Sequence, residues 1–192
     1  MQVLSVNTGV ARPLRVAGGR KVLSAIGKAP VVGPVPVLAL GLLGDEQADL
    51  SVHGGLDKAV YAYPVEHLPF WQQERRERGV SLFDEALPPG FLGENLTVQG
   101  LLEVEVWVGD SLHFPACSLR VTAPREPCFK FTEIMGFPQA GKRMVQQGCP
   151  GFYLSVVKPG TIQAGQSFTL EPGQRGLSIV DAFHAKRLKH LR

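Results

Sequence analysis

Glycine and proline recur along the whole of this chain, 22 and 15 times, and that punctuation limits what it can fold into. Proline withholds an amide donor and clashes inside a helix, while glycine costs backbone entropy there. Many short elements joined by tight turns are expected, which favours a β-rich fold over a helical bundle. At 192 residues, 44% hydrophobic and 19% charged, the chain has the size and balance of one globular domain, or one with a short appendage.

The β-prone runs are Val3–Val6, Lys21–Ile26, Ala59–Tyr63, Asn95–Val98, Glu103–Val108, Ser111–Phe114, Ser118–Ala123 and Phe152–Val157. Leu119, Val121 and Ala123 alternate with polar residues, as a half-buried strand requires. Val31–Leu40 is apolar but broken by Gly33, Pro34 and Pro36, which suits an edge strand or a barrel corner. Gly160–Ile162 and Gly165–Leu170 read as a closing hairpin. Pro64 opens a helix with Glu66 in its first turn and Val65, Leu68 and Trp71 along one face; Gly79 stops it. Gln139–Gly148 reads as a short second helix. Ser178 and Asp181, in a capping-box arrangement, start a last one with Val180, Phe183, Leu188 and Leu191 on one face. The run Glu171–Gly176 separates a β body, 1–172, from a helical tail, 173–192.

The net charge is +3, and Lys186, Arg187, Lys189 and Arg192 lie in the last few residues. No basic stripe with interleaved aromatics is visible, so stable nucleic-acid binding is not expected. A small anionic ligand needs only two or three well-placed cations and is compatible with this balance. The amino terminus lacks the pattern of a signal peptide, and no apolar run is long enough to span a membrane. Cys117, Cys128 and Cys149 are odd in number and widely spaced, outside any CxxC or CxxH pattern. A disulfide framework is therefore not expected, and a cytoplasmic location is.

The strongest local chemistry lies in Pro124-Arg125-Glu126-Pro127-Cys128-Phe129-Lys130. Two prolines stiffen the loop, and Arg125 and Lys130 bracket the thiol, where nearby cations favour thiolate. A thiolate is both a nucleophile and a soft metal ligand. The same spacing also suits a small buried cysteine on a turn. In His53-Gly54-Gly55-Leu56-Asp57-Lys58, Gly54 and Gly55 let a backbone approach an anion that His53 and Lys58 could touch; the alternative is a glycine turn with a solvated lysine. Asn95, in Gly93-Glu94-Asn95-Leu96, can donate and accept towards a heterocycle edge, or serve as an ordinary turn residue. Cys117 and Cys149 read as structural.

Taken in order, HGGLDKAVY at 53–61, GENL at 93–96, GD at 109–110, PREPCFK at 124–130, GFY at 151–153 and the Gly160…Gly165 pair resemble the MOSC (molybdenum cofactor sulfurase C-terminal) domain, YiiM-type subgroup. Residues 24–31 and 44–49 resemble that subgroup too, so the likeness covers nearly the whole chain. It implies a mostly β fold, a MOSC-type β-barrel with few helices. The tail has room for about one helix where the subgroup carries three. Val52 stands where a histidine is common, and Ala123 where a glutamine is.

The implied cofactor is the molybdenum cofactor (Mo-molybdopterin), not pyridoxal phosphate. Cys128 would ligate molybdenum or carry sulfur. Arg125, His53, Lys58 and Asn95 would line the pocket, with Lys28 and Lys130 as further candidates and Lys58 or His53 aiding proton delivery. The implied activity is reduction of small N-hydroxylated compounds, such as hydroxylaminopurine bases, a detoxification. Electrons would come from a separate reductase, and a homodimer is compatible with the resemblance. The alternative from another class is a molybdenum cofactor or sulfur carrier without turnover.

Overall fold

A computed structural model describes residues 1–48, 54–82 and 85–189. The order of elements is β1 (Gln2–Thr8), β2 (Arg12–Arg15), β3 (Lys21–Ser24), β4 (Ala29–Pro30), β5 (Val35–Leu38), β6 (Gly41–Leu42), β7 (Val60–Pro64), α1 (Leu68–Glu77), β8 (Leu96–Gln99), β9 (Ser111–His113), β10 (Ser118–Pro124), α2 (Phe129–Met135), α3 (Ala140–Gln147), β11 (Phe152–Lys158), β12 (Gly160–Ile162), β13 (Thr169–Glu171) and α4 (Ile179–Lys189). The chain is mostly β with four α-helices, as the punctuation by glycine and proline requires.

Eight strands form one sheet in the order β13-β9-β10-β11-β7-β8-β1-β4. All its pairings are antiparallel except β7 with β8, and α1 lies in the crossover that a parallel pair needs. Strand β7 is buried along its whole length because both faces of the sheet are covered there. With the two-residue period of a strand, Val60 and Ala62 enter one core with Val3, Val6, Leu96, Leu119, Val121 and Leu154. Tyr61 and Tyr63 enter the other, with Leu68 and Trp71 of α1, Phe131 and Met135 of α2, Met144 of α3 and Phe183 of α4.

The sheet curls without closing into a continuous ladder among the described residues. Its margins meet where the segment before β13 reaches β1: Val3 N–H donates to Gln166 O (2.9 Å), Gly165 N–H to Val3 O (2.7 Å) and Phe168 N–H to Met1 O (3.1 Å). As strand pairing, that contact amounts among the described residues to an isolated bridge, Gln2 to Ser167.

Three expectations from the sequence are corrected, and one helix was not foreseen. Glu103–Glu105 is a 3-10 turn, not part of a strand, because the buried Glu103 carboxylate faces inward to the Gly151 N–H (2.7 Å) and His67 Nε2 (2.7 Å). Strand β5 is the centre of a three-stranded sheet, β12-β5-β6, rather than an edge strand; the Pro36 carbonyl accepts from Leu43 N–H (2.9 Å). Strands β12 and β13 pair with β5 and β9 and form no hairpin together. The reactive-loop candidate runs straight into α2, which its two prolines had disguised.

The last helix begins as expected, with Asp181 N–H on Ser178 Oγ (3.0 Å) and Ser178 Oγ on Asp181 Oδ2 (2.6 Å). Among its described side chains Ile179, Ala182 and Phe183 are buried, a helical i, i+3, i+4 stripe, while Val180 of the expected face is only partly covered and the side chains of Leu188 and Leu191 lie outside the description. Val108 N–H to Leu177 O and Ile179 N–H to Val106 O, both 2.9 Å, tie its start to the sheet. Phe183→Ala should therefore cost about 3–5 kcal/mol. Urea unfolding followed by circular dichroism and tryptophan fluorescence should show one shifted transition; a separate early melt of α4 with the main midpoint unchanged would refute this integration.

Candidate active site

A cleft of about 660 Å³, counted out to its open mouth, is built where β10, α2, β7, β11 and the segments 24–28 and 45–48 converge. Its floor is organised by Asp45. One carboxylate oxygen accepts the Gly9 N–H (2.9 Å) and pairs with Lys28 Nζ; the other accepts Asn95 Nδ2 (2.8 Å). Burial pulls the Lys28 ammonium below its ordinary pKa, and the Asp45 charge opposes that fall. Asn95 uses its second amide proton on Asn7 O (3.2 Å) and its oxygen on the Tyr61 N–H (3.1 Å). It thus fastens β7, β1 and Asp45 to one another.

The backbone at Lys28 is held by Gly90, which sits at φ +84° with its Cα face against it. A methyl added at Gly90 would lie 2.7 Å from Lys28 O, so only glycine allows that approach. Glu94 braces the same loop. Buried completely, it accepts Gly90 N–H (2.6 Å), Leu92 N–H (3.1 Å) and Thr97 Oγ1 (3.0 Å), and burial pushes its carboxyl above the usual range.

Arg125 stands at the end of β10 and is 5% exposed. Its Nη1 donates to Leu92 O, and its guanidinium lies 4.8 Å from the Tyr61 ring centroid and 5.2 Å from that of Phe131. It makes no ion pair among the described residues, and it interacts electrostatically with Tyr61 first, then Tyr153 and Cys128, and with the buried Glu94. Cys128 is half-buried, lines the cleft and precedes the first residue of α2. Lys130, also lining it, donates to Leu23 O (2.9 Å).

Tyr61 and Tyr153 are paired across β7 and β11, with ring centroids 5.4 Å apart, and both line the cleft. Burial pushes both phenols up, so they are uncharged walls at neutral pH. Lys58 lies 5.7 Å from the Tyr153 ring centroid.

The structure thus gathers Cys128, Arg125, Lys58, Lys28, Lys130, Asn95 and Gly54 around one cleft. Gly55 is not among the lining residues; its N–H is held by Gln47 Oε1 (3.2 Å). His53 lies outside the described residues. Tyr61, Tyr153, Asp45 and Gln47 are lining residues to which the sequence reading assigned no role.

The chain is 36% identical over 178 residues to the uncharacterized protein YflK of Bacillus subtilis, covering 92% of this chain and 76% of that protein. It is 39% identical over 159 residues to the protein YiiM of Escherichia coli, covering 83% and 69%. The crystal structure of YiiM from Geobacillus stearothermophilus superposes with a TM-score of 0.76 at 32% identity, over 100% of this chain and 86% of that one. The MOSC domain profile matches residues 49–169. The chain is a YiiM-type MOSC protein. MOSC domains are associated with the molybdenum cofactor, and a further relative, a protein of Gibberella moniliformis named reductase, is 36% identical over 169 residues. This MOSC protein spans 29% of that longer chain.

The three thiols of this MOSC protein differ in environment. Cys117 and Cys149 are 2% and 0% exposed, and burial pushes them up to about 11 and about 12. At pH 8 both are therefore protonated as well as shielded. Brief iodoacetamide treatment of the native protein should add one label, on Cys128, and denaturation should add the other two. Mass spectrometry of tryptic peptides reads this out; equal native labelling of Cys149 would contradict the environments described.

Proposed function

We propose that this MOSC protein binds the molybdenum cofactor and reduces small N-hydroxylated compounds, hydroxylaminopurine bases among them, with electrons from a separate protein. The observation that carries the reading is a half-buried thiol, Cys128, sharing an open cleft with the buried cation Arg125, which has no carboxylate partner in contact. A molybdenum–pterin group asks for a soft protein ligand and for cations towards its phosphate, and this donor set fits both demands. Among the described residues no cluster of three or more His, Cys, Asp or Glu could hold a bare metal ion by itself. A group that brings ligands of its own needs only the one sulfur. Bound there, it would supply the two-electron chemistry at the N–O bond.

The chain's own residues then have distinct work. Cys128 would ligate the metal. Arg125 keeps positive charge beside that sulfur. Lys58 and Lys130 add cations at the lining, and His53 or Lys58 would deliver a proton. Tyr61 and Tyr153 present uncharged aromatic surface to a flat heterocycle. Lys28 and Asn95, bound to Asp45, fix the floor against which such a ring would rest. The reductase name of the Gibberella relative supports oxidoreductase chemistry, and the length of that chain leaves room for electron-supplying parts in the same polypeptide. Among the described residues, no helix is long and apolar enough to cross a membrane.

Expression in a host that makes the cofactor provides the test. The wild type should carry molybdenum near one per chain by elemental analysis and should reduce a purine hydroxylamine. Cys128→Ser should keep its circular dichroism and lose at least about tenfold in both readouts, consistent with removal of a metal ligand. Cys117→Ser should change neither. Full loading and rate in Cys128→Ser would end the assignment of that sulfur. Loading without reduction would favour a cofactor carrier.

A further inference from the structure

Reducing an N–OH group consumes two electrons and two protons. The N–O bond breaks, one proton goes to nitrogen, and the oxygen leaves with the other as water. On that reading of the cleft, a reductant must dock beside it. One surface there is unusual. The β2–β3 hairpin pairs with no other strand, and its turn is made by Gly18 and Gly19, both at positive φ. It carries Arg12, Arg15, Arg20 and Lys21, all exposed, and none forms an ion pair among the described residues. No acidic residue precedes Asp45 in the chain.

Register divides the hairpin into two faces. Arg15 pairs with Lys21 and Pro13 with Leu23, so these four share the outward face, and all four are exposed. The opposite face carries Leu14 and Val22, partly covered, the buried Ser24 and, paired with it at the hairpin's open end, the exposed Arg12. Two carboxylates touch the hairpin, and both accept backbone N–H groups: Glu46 from Ala11 (2.7 Å) and Glu133 from Ala17 (3.0 Å). The cations remain in excess. The hairpin is also a wall of the cleft: Ser24 lines it, and the Leu23 carbonyl anchors the cleft-lining Lys130.

We propose that this hairpin is the docking surface for an acidic redox protein, whose reduced flavin is oxidised as it delivers the two electrons. Exposed interfacial charges act chiefly on the rate of encounter, which suits a brief electron-transfer contact with a small footprint. The apolar pair Pro13 and Leu23 gives that contact a centre, and the cations orient it. No aromatic side chain stands on the hairpin for bases to stack on, which sets it apart from a single-strand nucleic-acid platform.

The test uses the cofactor-loaded protein with two donors: reduced flavodoxin, an acidic flavoprotein, and reduced methyl viologen, a small molecule. In the triple variant Arg15→Glu, Arg20→Glu, Lys21→Glu, flavodoxin-driven kcat/KM should fall at least about tenfold at low salt, while viologen-driven turnover should not fall. Wild-type flavodoxin-driven rates should decline as NaCl rises from about 20 to about 300 mM, since exposed charges are screened over that range. Flavodoxin binding, measured separately by chemical-shift titration, should weaken by the same factor. An equal loss with both donors, unchanged flavodoxin binding in the variant, or tighter binding of duplex DNA than of flavodoxin would overturn the proposal. Absence of viologen-driven turnover in the wild type would instead count against the reductase reading, and the flavodoxin titration would still decide the docking surface.

Discussion

The site depends on a buried positive charge. Taking a guanidinium out of water costs several kcal/mol even after relaxation. Arg125 recovers part of this from two aromatic faces, about 0.5–2 kcal/mol each, and from its bond to Leu92 O, about 1.5–3 kcal/mol. Those gains come close to the cost without clearly exceeding it. No carboxylate forms an ion pair with the group among the described residues, so further negative charge on the cleft side would add to its stability. Tyr61, Tyr153 and the Cys128 sulfur interact with it there, and the buried Glu94 acts on it from the loop behind. An anionic ligand would have the same effect. Such a cation is a poor device for stability and a good one for holding an anion.

Much of the surrounding sequence serves to keep that guanidinium in place. The Leu92 peptide is gripped from both ends, its N–H by Glu94 and its carbonyl by Arg125. Glu94 in turn holds Thr97, whose Oγ1 accepts from Asn7 Nδ2 (3.2 Å), and Asn7 accepts from Asn95 through its carbonyl. The GENL run therefore acts one step behind the cleft. Its glutamate orients a loop, and its asparagine uses both amide protons inside the protein. A polar network with every member bonded is rigid, which is what a site with little tolerance for misplacement requires.

These layers were unequally legible before folding. The thiol, its flanking cations and the glycine loop could be read because they are local: Arg125, Cys128 and Lys130 lie within six consecutive residues. The strand positions were also readable, since β7, β10 and β11 fall within a residue or two of the apolar runs that foretold them. Tyr61 and Tyr153 became site residues only through the pairing of strands far apart in sequence, which periodicity cannot reveal. Asp45 was hidden for the same reason, because its meaning lies in Lys28, Gly9 and Asn95. Glu103 misled in the opposite direction: its β-branched and aromatic neighbours suggested a strand, but its buried carboxylate needed the Gly151 amide and bent the chain into a turn.

Net charge would have hidden the electrostatics altogether. A value of +3 suggests little, yet the positive groups around the cleft include two sets with separate consequences. Lys28 and Lys130 are committed inward, to Asp45 and the Leu23 carbonyl, and their fields are partly spent on the floor. Arg12, Arg15, Arg20 and Lys21 face solvent, where each is screened by salt but all lie on one ribbon at the edge of the cleft. Arg125 belongs to neither group: buried, without an ion pair, and beside the half-buried sulfur. Inward charge shapes the cleft, outward charge can select what approaches it, and Arg125 between them favours whatever carries negative charge inside. The same total spread evenly over the surface would do none of these things.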